Sequence, residues 1–105
     1  MQAKPTGREQ VVELLLFVSN KTPKSVRAYA NLKRICEQNM PGKYSLEVID
    51  ILKQPQIARQ EQIVAIPMVV RRRPLPVRTV IGDLSNVETT LAGLELRTTD
   101  EGAEL

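Results

Sequence analysis

Residues 11–18 read VVELLLFV, eight positions of which one carries a charge. A run this short and this apolar has no polar face to turn toward water, so it must be covered on both sides. Central strands of parallel sheets meet that condition, because the crossovers that join parallel strands lay helices over the faces of the sheet. The next thirty residues supply such a crossover. After Ser19-Asn20-Lys21, Thr22 and Pro23 make a helix start. A threonine hydroxyl accepts from the free amides of a first turn, and proline at the first helical position has no N–H to leave unpaired. Ala28, Leu32 and Ile35 then fall on one stripe, with Tyr29 and Cys36 beside it. The spacing predicts about five turns of helix, ended near Met40 by Pro41-Gly42. Tyr44–Ile51 (YSLEVIDI) alternates as a second strand. Strand, helix and strand form a βαβ unit, which is nearly always right-handed with parallel strands.

Pro55 opens a shorter helix containing Ile57 and Ala58. Residues 63–70 (IVAIPMVV) form an apolar run interrupted by Pro67, Pro74 and Pro76 bracket a turn, and Val77–Ile81 reads as a fourth strand paired to the third as a hairpin. Ser85 and Glu88 have the spacing of a capping box, and Leu84, Val87, Leu91 and Leu94 follow helical spacing. Ala92, Leu94 and Leu96 also alternate as a strand would, and Gly93 costs a helix interior roughly 1 kcal/mol relative to alanine. Helix is favoured there by a small margin.

A chain of 105 residues has room for one core. The pattern places a lead-in at 1–10, a domain at 11–96 and a polar tail at 97–105. With one cysteine and no histidine, an internal disulfide, a histidine-based catalytic pair and a Cys/His zinc cluster are all excluded. No apolar run is long enough to span a membrane and no apolar leader precedes residue 11, so a cytoplasmic location is expected. The net charge of +3 is uneven: Arg71, Arg72, Arg73 and Arg78 cluster, while Asp100, Glu101 and Glu104 lie in the tail. Such a cluster is either a solvated hairpin or a site that steers an acidic protein surface. Nucleic acid would want a broad basic face and stacking aromatics, and three aromatic residues in all do not supply them.

The order β-α-β-α-β-β-α is that of a thioredoxin-like domain. A redox enzyme of that fold places Cys-x-x-Cys where this chain has Ser19–Pro23, because a helix N-terminus lowers a thiol pKa. Ile66-Pro67 stands where that fold carries a cis proline ahead of its third strand. Cys36, inside the first helix, reads as a small buried hydrophobe. Glu47 with Asp50, and Asp83 with Glu88, are pairs of carboxylates that catalysis could use, but no partner base, metal cluster or phosphate loop accompanies them. No catalytic residue, metal or cofactor is expected, and the chain reads as a binding protein.

Several stretches together resemble the KaiB family. They are Thr22–Ala28 (TPKSVRA), Glu47–Lys53 (EVIDILK) with Pro55-Gln56, Ile63–Pro67 (IVAIP), Pro74–Arg78 (PLPVR) and Ile81–Asn86 (IGDLSN). The resemblance covers about residues 11–96, and TPxSVRA with IGDLSN is specific. It implies a non-catalytic regulator that docks on a KaiC-type ATPase ring, in a circadian clock or a clock-like timing and stress system, with a KaiA-like protein or a SasA-like histidine kinase as further partners. Arg27, Arg71, Arg78 and Asp83 are the contacts it suggests.

The family further implies two folds for one chain. One is the thioredoxin-like monomer. The other is a resting homotetramer of order βαββααβ, in which the C-terminal half re-pairs and the final helix becomes a strand. Pro67, Pro74, Pro76, Gly82 and Asp83 are the positions expected to set that balance and its rate, X–Pro isomerisation being slow. Gly82→Ala or Asp83→Arg is expected to push a tetramer toward monomer. For this chain the capping box and a polar, arginine-rich third strand favour the thioredoxin-like form.

Overall fold

The computed structural model describes residues 11–63 and 65–96. The expected lead-in at 1–10 and tail at 97–105, together with Val64 of the apolar run, lie outside the described residues.

Strand β1 (Val12–Val18) occupies the middle of a four-stranded sheet of order β2-β1-β3-β4. It pairs in parallel with β2 (Tyr44–Asp50), from Val12↔Tyr44 to Val18↔Asp50. On its other edge it pairs antiparallel with β3 (Met68–Arg73), which forms the expected hairpin with β4 (Arg78–Ile81). Helices α1 (Pro23–Asn39), α2 (Pro55–Gln60) and α3 (Val87–Leu94) complete the order. This is the expected βαβαββα architecture.

The apolar run is explained by where its side chains go. Leu14, Leu16 and Val18 face Ala28, Leu32, Ile35 and Cys36 of α1 and Leu91 and Leu94 of α3. Leu15 and Phe17 face the other way, against Ile49, Met68 and Val70, with Ile57 of α2 packed beside them. At roughly 1.5–3 kcal/mol for each fully buried side chain of this size, β1 outweighs any single propensity term in the chain. α1 starts as its sequence predicts: Thr22 Oγ1 accepts from Ser25 N at 3.3 Å, with Pro23 at the first position. Behind the helix, Gly42 takes a positive φ of 76° and turns the chain into β2.

Two expectations need correction. β3 is not a polar strand. Met68, Val69, Val70 and Arg71 are all buried, and only Arg72 and Arg73 are exposed. An inner strand lying between β1 and β4 has both faces covered at its start. Nor does Ser85 cap α3. Asn86 does, its side chain accepting from Thr89 N at 2.9 Å. Ser85 is drawn instead into a tight turn, where its N–H donates to Asp83 Oδ1 at 3.1 Å. The helix begins one residue later than the capping-box spacing predicts.

Gly93 sits inside α3 because the helix lies close against β4. A Cβ added there would stand 2.5 Å from Val80 Cγ2, nearer than side chains pack, and valine is stiff about χ1. Alanine's propensity advantage of about 1 kcal/mol is therefore set against overpacking of about 1–3 kcal/mol. Gly93→Ala is expected to lower the urea midpoint despite being the better helix former. An unchanged or raised midpoint would mean that α3 lies farther from β4.

Candidate docking surface

The β1–α1 connection, Ser19–Thr22, carries no cysteine. Asn20 holds a positive φ of 55°, and its N–H donates to Asp50 Oδ1 at 3.1 Å. The same oxygen accepts from Leu52 N at 2.9 Å, so Asp50 ties together the loops that leave β1 and β2. Ser25, buried at the helix start, accepts from Ser19 N at 3.3 Å. The pairing Phe17↔Met68 sets Pro67 alongside Val18, at the edge of this loop. The Ile66-Pro67 bond is cis, as expected, and so are Arg73-Pro74 and Leu75-Pro76.

The four expected contact residues fall into two pairs. Arg27 Nε lies 3.3 Å from Asp83 Oδ2, with Arg27 largely exposed. Asn31 Nδ2 donates to the Asp83 carbonyl at 2.8 Å. Asp83 therefore links α1 to the loop after β4. Hydrogen bonds from the Ser85 hydroxyl and amide, together with the Arg27 guanidinium, hold its carboxyl below the ordinary aspartate value of 3.8. Gly82 has φ of 119°, and its N–H donates to the Pro67 carbonyl at 2.9 Å.

Arg78 pairs with Glu95 at 2.9 Å and remains half-exposed. Arg71 departs from the expectation of a surface contact. Only 3% of it is accessible, and its guanidinium is directed to backbone carbonyls of α3 and the proline turn. In this conformation it has no surface to offer a partner.

A groove of about 380 Å³ lies between the outer side of α1 and the edge strand β2, lined by Tyr29, Lys33, Glu37, Tyr44, Leu46 and Val48. Tyr44 donates its hydroxyl to the Glu37 carboxylate, and that bond pushes the phenol pKa up to about 12. Tyr29 and Val48 are exposed, and so is Val26 one turn earlier on α1. Sequence reasoning missed this face. Tyr29 reads there as the margin of a core stripe and Tyr44 as the start of a strand, and only the fold brings them together. Their one joint signal is that the chain's two tyrosines belong to the same crossover.

The cysteine is placed inside the core. Cys36 is fully buried, and desolvation, with the nearby Glu37 carboxylate, pushes its pKa up to about 12. Among the described residues no group of three or more His, Cys, Asp or Glu is arranged to hold a metal ion. No helix among them is long and apolar enough to cross a membrane.

Comparison with known proteins fixes the relationship. The family described as KaiB domain matches residues 15–96. The chain belongs to the KaiB family. It is 51% identical over 83 residues to the circadian clock oscillator protein KaiB of Synechococcus elongatus, covering 79% of this chain and 81% of that one. KaiB of Nostoc punctiforme is also 51% identical over 83 residues, covering 79% and 80%. Among solved structures, the N-terminal domain of Synechococcus elongatus SasA superposes with a TM-score of 0.68 at 26% identity, covering 88% of this chain and 89% of that domain. Chloroplastic thioredoxin z superposes with a TM-score of 0.66 at 15% identity, covering 86% and 81%. The latter shows the thioredoxin-like fold alone.

Because the folded Asp83 pKa lies below 3.8, its hydrogen bonds to Ser85 and Arg27 stabilise this KaiB-family fold above that pH. The contribution disappears as pH falls through the lowered value. Asp83→Asn is expected to reduce the urea midpoint at pH 7, with the gap to wild type closing on acidification. A gap that stays constant with pH would show that the carboxylate charge contributes nothing.

Proposed function

We propose that this chain is a non-catalytic regulatory protein that docks on a KaiC-type ATPase ring. One observation carries the reading. The outer side of α1 and the adjoining edge of β2 present exposed Val26, Tyr29 and Val48, with Lys33 and Glu37 also lining the groove there, in a chain 51% identical to clock oscillator KaiB proteins. Exposed apolar side chains with charged residues of both signs at their margin suit the surface of a partner protein. The likeness to the SasA domain supports competition on the same ring between this protein and a SasA-like kinase, with a KaiA-like protein as a further ligand. The setting is cytoplasmic, and the output is circadian or clock-like timing.

The reading includes exchange between this thioredoxin-like monomer and a homotetramer with a re-paired C-terminal half. Pro67, Pro74, Pro76, Gly82 and Asp83 are the positions that set the balance. Gly82 has a φ that side-chain-bearing residues rarely adopt, and Asp83 holds α1 through Arg27 and Asn31. Gly82→Ala and Asp83→Arg therefore each carry a cost in this conformation. A shift toward monomer on substitution requires a larger cost in the tetramer.

The test is retention on an immobilised KaiC-type ATPase ring with and without ATP. Wild type is expected to bind, and Tyr29→Ala and Val26→Asp to weaken binding roughly tenfold or more, as loss of an interface anchor does. Cys36→Ala is expected to bind like wild type. Absence of binding under every nucleotide condition overturns the docking reading. It leaves the alternative of a stand-alone adaptor for another kinase or ATPase. Wild-type binding by both surface variants moves the interface elsewhere.

A further inference from the structure

The buried guanidinium of Arg71 is not used by the docking surface, and its partners come from two separate parts of the chain. Nη1 donates to the Leu94 carbonyl at 2.9 Å and to the Glu95 carbonyl at 3.4 Å. Nη2 donates to the Pro76 carbonyl at 2.6 Å. Nη1 also lies 3.9 Å from Glu95 Oε1, and Nε is buried without a partner.

Leu94 is the last residue of α3, and Glu95 comes next in the left-handed region at φ 54°. The N–H of Leu96 returns to the Leu91 carbonyl at 2.9 Å, and that of Glu95 to Ala92 at 3.2 Å. This is a Schellman ending, a turn that satisfies the earlier of the free carbonyls at a helix end and leaves the last ones exposed. Glycine is the usual left-handed residue there. Here a glutamate fills the position, and Arg71 accounts for the two carbonyls beside it. A helix C-terminus carries partial negative charge, so a cation is well placed to close it.

We infer that Arg71 is a clasp that makes docking of α3 an all-or-none event. A buried charge is tolerated only while its hydrogen-bonding partners are present. If α3 leaves the sheet, Arg71 loses two of its three carbonyls and has to leave the interior with it. If Arg71 leaves, the carbonyls of Leu94, Glu95 and Pro76 lose their donor. Neither event is stable alone, so release of α3 is coupled to loosening of the Pro74–Pro76 turn. The clasp closes on residues 87–96, the segment whose sequence carries both helical and strand periodicity. It stands whether or not α1 and β2 form the docking face.

Amide hydrogen exchange on the full chain tests the clasp. Arg71→Met is expected to speed exchange in residues 90–96 roughly tenfold or more, while amides of β1, α1 and β2 change by less than about threefold. Arg71→Lys keeps the charge but cannot reach carbonyls on both sides at once, and an intermediate, equally local effect is expected. That variant decides the matter if Arg71→Met does not fold. Glu95→Gln removes both ion pairs and keeps the backbone acceptors, so protection of α3 should stay within about threefold of wild type. Uniform acceleration along the whole chain, or unchanged protection of α3 in the Arg71 variants, overturns the proposal. So does a Glu95→Gln effect as large as that of Arg71, which would assign the role to the ion pairs.

Discussion

β1 is bonded on both edges and covered on both faces, and the other elements take their places from that requirement. Its side chains alternate into two apolar clusters, so the sheet needs helices on both sides. α1 and α3 cover one side and α2 the other. The parallel crossover through α1 puts β2 on one outer edge, and the hairpin puts β4 on the other. Each edge strand is left with one unpaired side. The candidate docking surface arises from this arrangement, since the strand that α1 delivers is an edge strand, and the outward residues of α1 lie beside it.

The same frame holds the start of α1 in place in a chain with a single cysteine. In a redox protein the start of α1 stabilises a thiolate. Here the loop is held by Thr22, Ser25 and Asp50 through hydrogen bonds to backbone amides, so the connection needs no cysteine for its shape. The single thiol lies toward the far end of the helix and inside the core, where desolvation opposes ionisation. Pro67 borders this loop, its carbonyl accepting from Gly82 N at 2.9 Å.

Much of the architecture was legible because its information is local. Eight apolar residues, a Thr-Pro helix start and a Pro-Gly stop define the βαβ unit, and two prolines mark the hairpin. The misplaced cap of α3 is a near tie between adjacent residues. Ser85 and Asn86 are both capable caps, and Asp83 decides between them by engaging the Ser85 amide. Arg71 was illegible for a deeper reason. Three consecutive arginines read as exposed, either solvated or facing an acidic partner, because alternation along a strand says which residues share a face and not what covers it. The carbonyls that receive Arg71 come from residues 76, 94 and 95, and no local pattern places them at residue 71. The groove at Tyr29 and Tyr44 failed for the same cause, being assembled from two elements each of which looks ordinary alone.

The segment after Asn86 is where local and long-range terms compete most evenly. As a strand it would put Ala92, Leu94 and Leu96 on one face. As a helix it buries Leu91 and Leu94, and the left-handed turn at Glu95 swings Leu96 back into the same cluster. Both readings bury Leu94 and Leu96, so apolar burial separates them through Leu91, which the helix buries, and Ala92, which it leaves exposed. Backbone terms divide: Asn86 favours the helix, Gly93 disfavours it, and a glutamate in the left-handed region adds a further cost. The decision therefore passes to contacts that exist only in the folded sheet. Val80 leaves room for a glycine and for nothing larger, and Arg71 donates to the Leu94 and Glu95 carbonyls at the helix end. A segment so nearly balanced by its own sequence takes its form from the partners that the rest of the chain presents to it.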